Sequence, residues 1–318
     1  LGASYTSFVN GQTLTSALDV ELDISVSAFS LPGESGAWFQ IKGISLQEIA
    51  QANNLGPVMS GGQISAAYNI EVYGGMQAGL PLANPSQSGL LVRGQIIQCF
   101  GNWIGTDMTL DFFIVPNFGS TTAGSSVQPA NLVLHWPAGM PLGTAIKNTL
   151  STAYPNASPT PTIQVSGNLV QQQDGSGVYG DLSQLSEYAR QVSRSIVGGN
   201  YLGVAIVPQG NSFLVTDGSS TNNNVTQVQF QDLIGQPTWI APNTIQLKTV
   251  MRADIQPASQ IKLPPVLTTI TPQSQSQYRS SSVFQGNFFV SSVRHIGHFR
   301  QPTADAWVTV INASPQQQ

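Results

Sequence analysis

Hydrophobic and polar residues alternate strictly over residues 14–29. Leu18, Val20, Leu22, Ile24, Val26 and Ala28 fall on one side, and Asp19, Glu21, Asp23 and Ser25 on the other. Period two over this length predicts a half-buried antiparallel strand carrying three carboxylates on a solvated face. Further strands are predicted at 38–44, 64–73, 90–100 and 108–115, separated by turn-rich stretches such as YGGMQAGLPLANPSQSG. Ser45-Leu46-Gln47-Glu48 has the capping-box pattern and predicts a short helix that Asn53-Asn54-Leu55-Gly56-Pro57 closes.

After Pro116 the chain becomes linker-like, NFGSTTAGSSVQPA, and helical spacing follows. Leu142, Ala145, Ile146, Thr149, Leu150 and Ala153 keep that spacing until Pro155. Asp181 predicts the cap of a second helix whose stripe is Leu185, Tyr188, Ala189, Val192 and Ile196, ended by Gly198-Gly199. With short strands predicted at 131–136, 162–165, 203–207 and 212–216, this stretch reads as a small α+β domain between two β-rich parts. Strand chemistry returns at Val228-Gln229-Phe230, 244–251, 260–263, 283–296 and 304–312.

A repeat links the two β-rich parts. Gly94 and Gly105 in GQIIQCFGNWIG have the spacing of Gly286 and Gly297 in GNFFVSSVRHIG. Asp107 and Asp305 then open alternating strands, the second after a longer loop. Such a repeat makes the two parts copies of one barrel-like unit with the α+β domain inserted between them.

Composition narrows the function. The 318 residues are enough for two or three domains with sizeable cores. Charged residues are only 8%, against roughly 25% in an average soluble protein. A net charge of −4 argues against a surface that neutralises nucleic-acid phosphates or binds membranes through a polybasic patch. The single Cys99, in the apolar stretch IIQCF, excludes an internal disulfide framework and reads as a buried, inert thiol. No apolar run reaches bilayer length, since Arg93 interrupts LLVRGQIIQCF. The first residues lack the basic and apolar regions of a secretory signal, and Leu1 in place of Met fits a processed or trimmed chain.

Catalytic constellations are missing. His295 and His298 in RHIGHFR are flanked by Arg294 and Arg300, which repel a cation, and read as a polar hairpin tip. His135, between Leu134 and Trp136, reads as a buried or interface histidine. Gly175-Ser176-Gly177 reads as a flexible loop without the strand–turn–helix setting of a nucleophile elbow. Asp19, Glu21 and Asp23 fit a solvated strand face better than a glycosidase pair. Phosphate-binding glycine loops and calcium loops are absent from the sequence. The five tryptophans, one per strand region, suit core or interface packing better than a base-stacking platform. The expectation is therefore a non-enzyme, with no catalytic, cofactor-binding or metal-binding residues and no cofactor.

Several stretches resemble the baseplate hub proteins of tailed bacteriophages: FQIKGISLQEIAQANNL, EVYGGMQAGLPLANPSQSGLLVRGQI, FGNWIGTDMTLDFFI, SQLSEYARQVSRSIVGG, FQDLIGQPTWIAPNTIQLKTVMRADIQPASQIKLPP and SVFQGNFFVSSVRHIGHFRQPTADAWVTV. They cover most of 38–115 and 226–312. The resemblance implies a mainly β chain with two related antiparallel β-barrel tube domains, so that a homotrimer presents a pseudo-sixfold ring to a hexameric tail tube. The expected domains are a first β-barrel at 1–117, an inserted α+β domain at 118–225 and a second β-barrel at 226–318.

The function implied is a structural virion protein in the tail baseplate, assembled in the host cytoplasm. As a homotrimeric ring it would join the tail tube to the central spike and let DNA pass through the lumen without specific binding. Its partners would be the spike, the tube and other baseplate proteins, with no membrane insertion. The alternatives are a carbohydrate-binding, receptor-recognising tail protein and a cell-wall hydrolase. Scarce charge suits such assembly, because a desolvated unpaired charge costs several kcal/mol and an amide or hydroxyl roughly 1–3. The loops at 74–89 and 264–282 precede the two repeat hairpins and are candidate contacts to the tube or neighbouring subunits. Away from its partners the chain should be poorly soluble.

Overall fold

A computed structural model describes residues 3–14, 18–27, 36–60, 63–66, 68–76, 84–116, 131–154, 161–180, 182–199, 201, 203–209, 212–218, 225–264, 284 and 286–315. In chain order the first part holds β1 (Tyr5–Thr6), β2 (Thr13–Leu14), β3 (Asp19–Ser27), β4 (Gly36–Lys42), helix α1 (Leu46–Gln51), β5 (Val58–Ser60), β6 (Gln63–Ala66), β7 (Asn69–Gly74), β8 (Gly89–Ile104) and β9 (Asp107–Pro116). The middle part holds β10 (Leu132–Trp136), α2 (Leu142–Ala153), β11 (Thr162–Gln164), β12 (Gly175–Tyr179), α3 (Leu182–Val197), β13 (Ala205–Gln209) and β14 (Ser212–Thr216). The last part holds β15 (Thr226–Gln227), β16 (Thr238–Ala241), β17 (Thr244–Val250), β18 (Gln260–Lys262), β19 (Asn287–His298) and β20 (Trp307–Pro315).

The first and last parts share one large sheet in the order β16-β17-β20-β19-β3-β4-β9-β8-β7, with β18 also paired to β19 and β15 to β18. Apart from the parallel β15–β18 pair, its ladders are antiparallel. Within it, β3-β4-β9-β8-β7 and β16-β17-β20-β19-β18 are two units with the same strand order.

The correspondence holds residue by residue. β8 is bulged between Ile96 and Gln98, opposite Ile114 and Phe113. β19 is bulged between Val290 and Ser292, opposite Ala313 and Asn312. Ala37 then faces Ile114 as Ile245 faces Ala313, and all four are buried. Past the strand ends, Gly43 N–H donates to Met108 O at 3.1 Å and Met251 N–H to Trp307 O at 3.1 Å. A shared bulge is a specific device for bending a strand, so its recurrence at one place in both hairpins marks a duplicated unit.

The glycine spacing found the right hairpins with the wrong residues. Aligned on the bulges, Ile104 matches His298, so Gly105 and Gly297 are not equivalent. Gly105 makes the β8–β9 turn at φ +63°, whereas Gly297 is a ladder residue opposite Trp307, where a Cβ would stand 2.5 Å from the indole.

β3 forms as its alternation predicts, with Leu22 and Ile24 buried. Ser45 caps α1 by accepting the Glu48 N–H. Phe39 and Phe112 stack at 4.5 Å between ring centroids in the first core, which also takes in Met251 and Ala253 from the last part. The second core gathers Ile245, Leu247, Phe288, Val293 and Ile311.

The inserted part has a core of its own, built by α2, α3 and the inner faces of its strands round Leu134, Trp136, Ile146, Leu185 and Phe213. It meets the second unit where Ala205, Val207 and Leu214 pack on Ala258 and Phe289. Both helices match the predicted spacing, except that Ile196 is exposed. Gly175-Ser176-Gly177 is not a loop: it lies in β12, its three residues facing Trp136, His135 and Leu134 of β10. Val228-Gln229-Phe230 is not a strand but leads into a 3-10 turn, Phe230–Asp232. Asp181 lies outside the described residues.

Candidate assembly site

The two units meet around a buried guanidinium. Arg252 follows β17, and its Nε and Nη2 donate to the two carboxylate oxygens of Asp254 at 2.7 and 2.6 Å. Its Nη1 donates to Asp232 Oδ2 at 3.0 Å, and its backbone N–H to Thr309 Oγ1 at 3.0 Å. A planar fork held by two carboxylates is the geometry that makes a buried arginine tolerable.

Asp232 is set by the turn Phe230–Asp232, whose capping box has its carboxylate accepting the Gln229 N–H at 3.1 Å. The same oxygen accepts Gln87 Nε2 at 3.2 Å. Gln87 belongs to the first unit's side of the chain, and its carbonyl accepts the Ala253 N–H at 2.7 Å. Residues 84–88, the end of the loop that is a candidate contact to the tube or neighbouring subunits, are therefore docked through Gln87 on the second unit of the same chain. Residues 77–83 and 265–282, the remainder of the two candidate contact loops, lie outside the described residues.

His295 corrects the hairpin-tip reading. It is buried inside β19, between Ile24 on β3 and Thr309 on β20, with Nδ1 3.0 Å from Thr309 Oγ1. The extra residue of the bulge shifts the alternation, so that Val293, His295 and Gly297 face inward. Desolvation pushes the His295 pKa down to about 4, which leaves the ring neutral at pH 7. His298, at the strand end, lies 3.2 Å from Glu21.

The β3 carboxylates are not simply solvated. Asp23 takes Arg294 of β19 side-on, with Nε donating at 2.8 Å, and Glu21 lies 3.5 Å from Lys42 of β4. These partly exposed pairs contribute about 0.2–1 kcal/mol each and fix register more than stability. Among the described residues no three His, Cys, Asp or Glu side chains converge as a metal site. No helix among them is long and apolar enough to cross a membrane. Cys99 is buried, and desolvation raises its thiol pKa to about 12.

Several apolar side chains stand in solvent. Trp103 and Ile104 crown the β8–β9 hairpin, with Trp103 Nε1 donating to Gly105 O at 3.0 Å. Trp239 and Ile240 lie on β16, where all four residues are exposed. Val133 and Val178 face each other across β10 and β12 on the outer side. His135 shares that side and is exposed rather than buried, because Leu132, Leu134 and Trp136 take the inner positions. Hydrophobic patterning does not single out the Arg252 cluster, although in a chain with so few charges an arginine in TVMRADI is a visible signal.

No protein-family model matches the sequence, and no curated protein matches it. Solved structures do. The E. coli c3393 protein, a component of the type VI secretion system with structural similarity to T4 bacteriophage tail proteins gp27 and gp5, superposes with a TM-score of 0.52 at 8% identity, over 96% of this chain and 76% of that one. A tail protein from Neisseria meningitidis MC58 gives 0.46 at 10% identity, covering 96% and 94% of the two chains. The 43 kDa tail protein of prophage MuSo2 from Shewanella oneidensis gives 0.46 at 7%, covering 97% and 98%. The first of these likenesses shows the fold: this chain is folded like that type VI secretion component, in agreement with its duplicated antiparallel unit.

Proposed function

We propose that the chain is a non-enzymatic structural protein of a phage-type tail: a baseplate hub that forms a homotrimeric ring between the tail tube and the central spike and lets DNA pass. In this reading residues 1–117 and 226–318 are the two tube domains and 118–225 the inserted domain. The observation that carries it is the duplication, because two units with one strand order in each chain give six alike units in a trimer. That is the number a hexameric tube can match. The interdomain junction supports it as well, since the Arg252–Asp232–Gln87 contacts hold the two units at a fixed angle, as ring closure requires. Closed cyclic symmetry needs each interface to repeat the same rotation. Partners at the two ends of the ring and a place in the virion tail follow from the same reading. Negative-stain images of the purified chain should show threefold rings with a central hole. Monodisperse globules without a hole would overturn it.

A further inference from the structure

The internal junction of the two units leaves one copy of each of its edges unused. Inside the chain, β19 pairs with β20 on one side, and its segment from Ser292 to His298 pairs with β3 on the other. The matching segment of the first unit is Gln98 to Ile104 on β8, by the shared bulge. It pairs with β9 only, and no other backbone hydrogen bond reaches it among the described residues. The strand matching β3 is β16, since Ile24 faces Ala37 as Trp239 faces Ile245. β16 is the end strand of its unit, paired among the described residues with β17 alone.

Exposure follows the missing partner. Ile24, covered by β19, is 0% exposed, whereas its counterpart Trp239 is 40% exposed. Gly297 is buried, whereas its counterpart Trp103 is 63% exposed and the adjoining Ile104 76%. Trp239 stacks on Phe284 of its own chain at 6.0 Å between ring centroids, and Ile49 of α1 lies against Gly101, but neither contact gives the strand a backbone partner. A strand edge without a backbone partner, flanked by large apolar side chains, is a template for pairing with another chain.

We propose that the β8 edge from Gln98 to Ile104 pairs antiparallel with β16 of a second copy of this chain, in the register that β19 and β3 already use. Ile296 faces Asp23 and His295 faces Ile24 within the chain. Transferred to the free edges, Asn102 faces the partner subunit's Thr238, and Gly101 faces the partner subunit's Trp239. The contact is head-to-tail, each subunit offering one edge of each kind, so it propagates until rotation closes it into a ring. It rests on the ring reading above and supplies that ring's subunit interface.

Cysteine cross-linking tests it in a Cys99→Ala background. Directly opposed residues in an antiparallel pair have their Cα atoms about 4.5–5.5 Å apart, within the range that a disulfide bridges. Asn102→Cys with Thr238→Cys should give covalent dimers and trimers on a non-reducing gel that revert with reductant. Asn102→Cys with Trp239→Cys, one residue out of register, should stay at background. Asp23→Cys with Ile296→Cys, the internal counterpart, should close within the monomer and so calibrate the geometry. Threefold rings without the in-register cross-link, while the internal pair closes, would overturn the edge pairing and leave the hub reading standing. Absence of both rings and cross-links would overturn both. Hydrogen exchange on the unmodified protein reads the same contact without substitutions: assembly should slow the amides of β8 from Gln98 to Ile104 roughly tenfold or more, and unchanged exchange would count against the pairing.

Discussion

Ile44 and Arg252 occupy one and the same place in the two copies of the sheet unit. Each follows the residue whose amide bonds back to the returning hairpin, Gly43 to Met108 and Met251 to Trp307. Both are almost wholly buried. Around Ile44 the neighbouring positions are apolar, with Ile41 and Leu110, whereas the counterparts around Arg252 are Thr249 and Thr309. One copy thus keeps a greasy end layer and the other a polar one, and the polar layer is where Gln87 from the first unit is held.

Removing the guanidinium should be costly. Arg252→Ala leaves Asp232 buried without its cation, and breaking one side of such a pair costs about 3–5 kcal/mol. Urea unfolding should show that loss at pH 7. A midpoint equal to that of the unaltered protein would mean that the cluster does not hold the junction.

Stability should also fall in mild acid. His295 has a folded pKa of about 4 against about 6.5 when unfolded, so between those values the unfolded chain binds more protons. The contribution is fully present above pH 6.5, declines as pH falls toward 4, and amounts to about 3 kcal/mol. Urea midpoints across this range should show the decline in the unaltered protein and a flatter profile in His295→Gln. Equal profiles would place the acid sensitivity elsewhere.

A gain is expected at Glu48. Its carboxylate is buried, and neither oxygen makes a well-aligned hydrogen bond among the described residues; its nearest polar neighbour is the Tyr5 hydroxyl, whose own contact with it is equally poorly aligned. Burial and the nearby Glu48 carboxylate raise the Tyr5 pKa, so the phenol stays protonated. Glu48→Met removes the uncompensated acid and should stabilise the protein by about 1–3 kcal/mol, read as a higher urea midpoint. A lower midpoint would show that the carboxylate has a stabilising partner.

The strands with one clear buried face were legible from the sequence. β3 shows four inward apolar residues in alternation, Val20, Leu22, Ile24 and Val26, and α2 ends two residues before Pro155, so pattern and structure agree. Where the pattern failed, a tertiary cause overrode it. β16 offers Thr-Trp-Ile-Ala, all exposed, and has no buried face to announce a strand. In β12 two glycines suggested a loop, yet pairing with β10 defines a strand. Bulges leave no mark on a spacing count, so the glycine spacing pairs positions two residues away from equivalence and the flanking arginines point to a hairpin tip where His295 is buried in a strand. Of the assembly site, tryptophan placement hinted at interfaces, but which edges were free depended on pairing that only the sheet topology reveals.

The proposed hub is a ring of three chains. Native mass spectrometry of the purified protein measures it most directly. A dominant species at three times the 33.7 kDa chain mass, persisting at low micromolar concentration, is the expected result. A chain that stays monomeric at every concentration up to its solubility limit would contradict it.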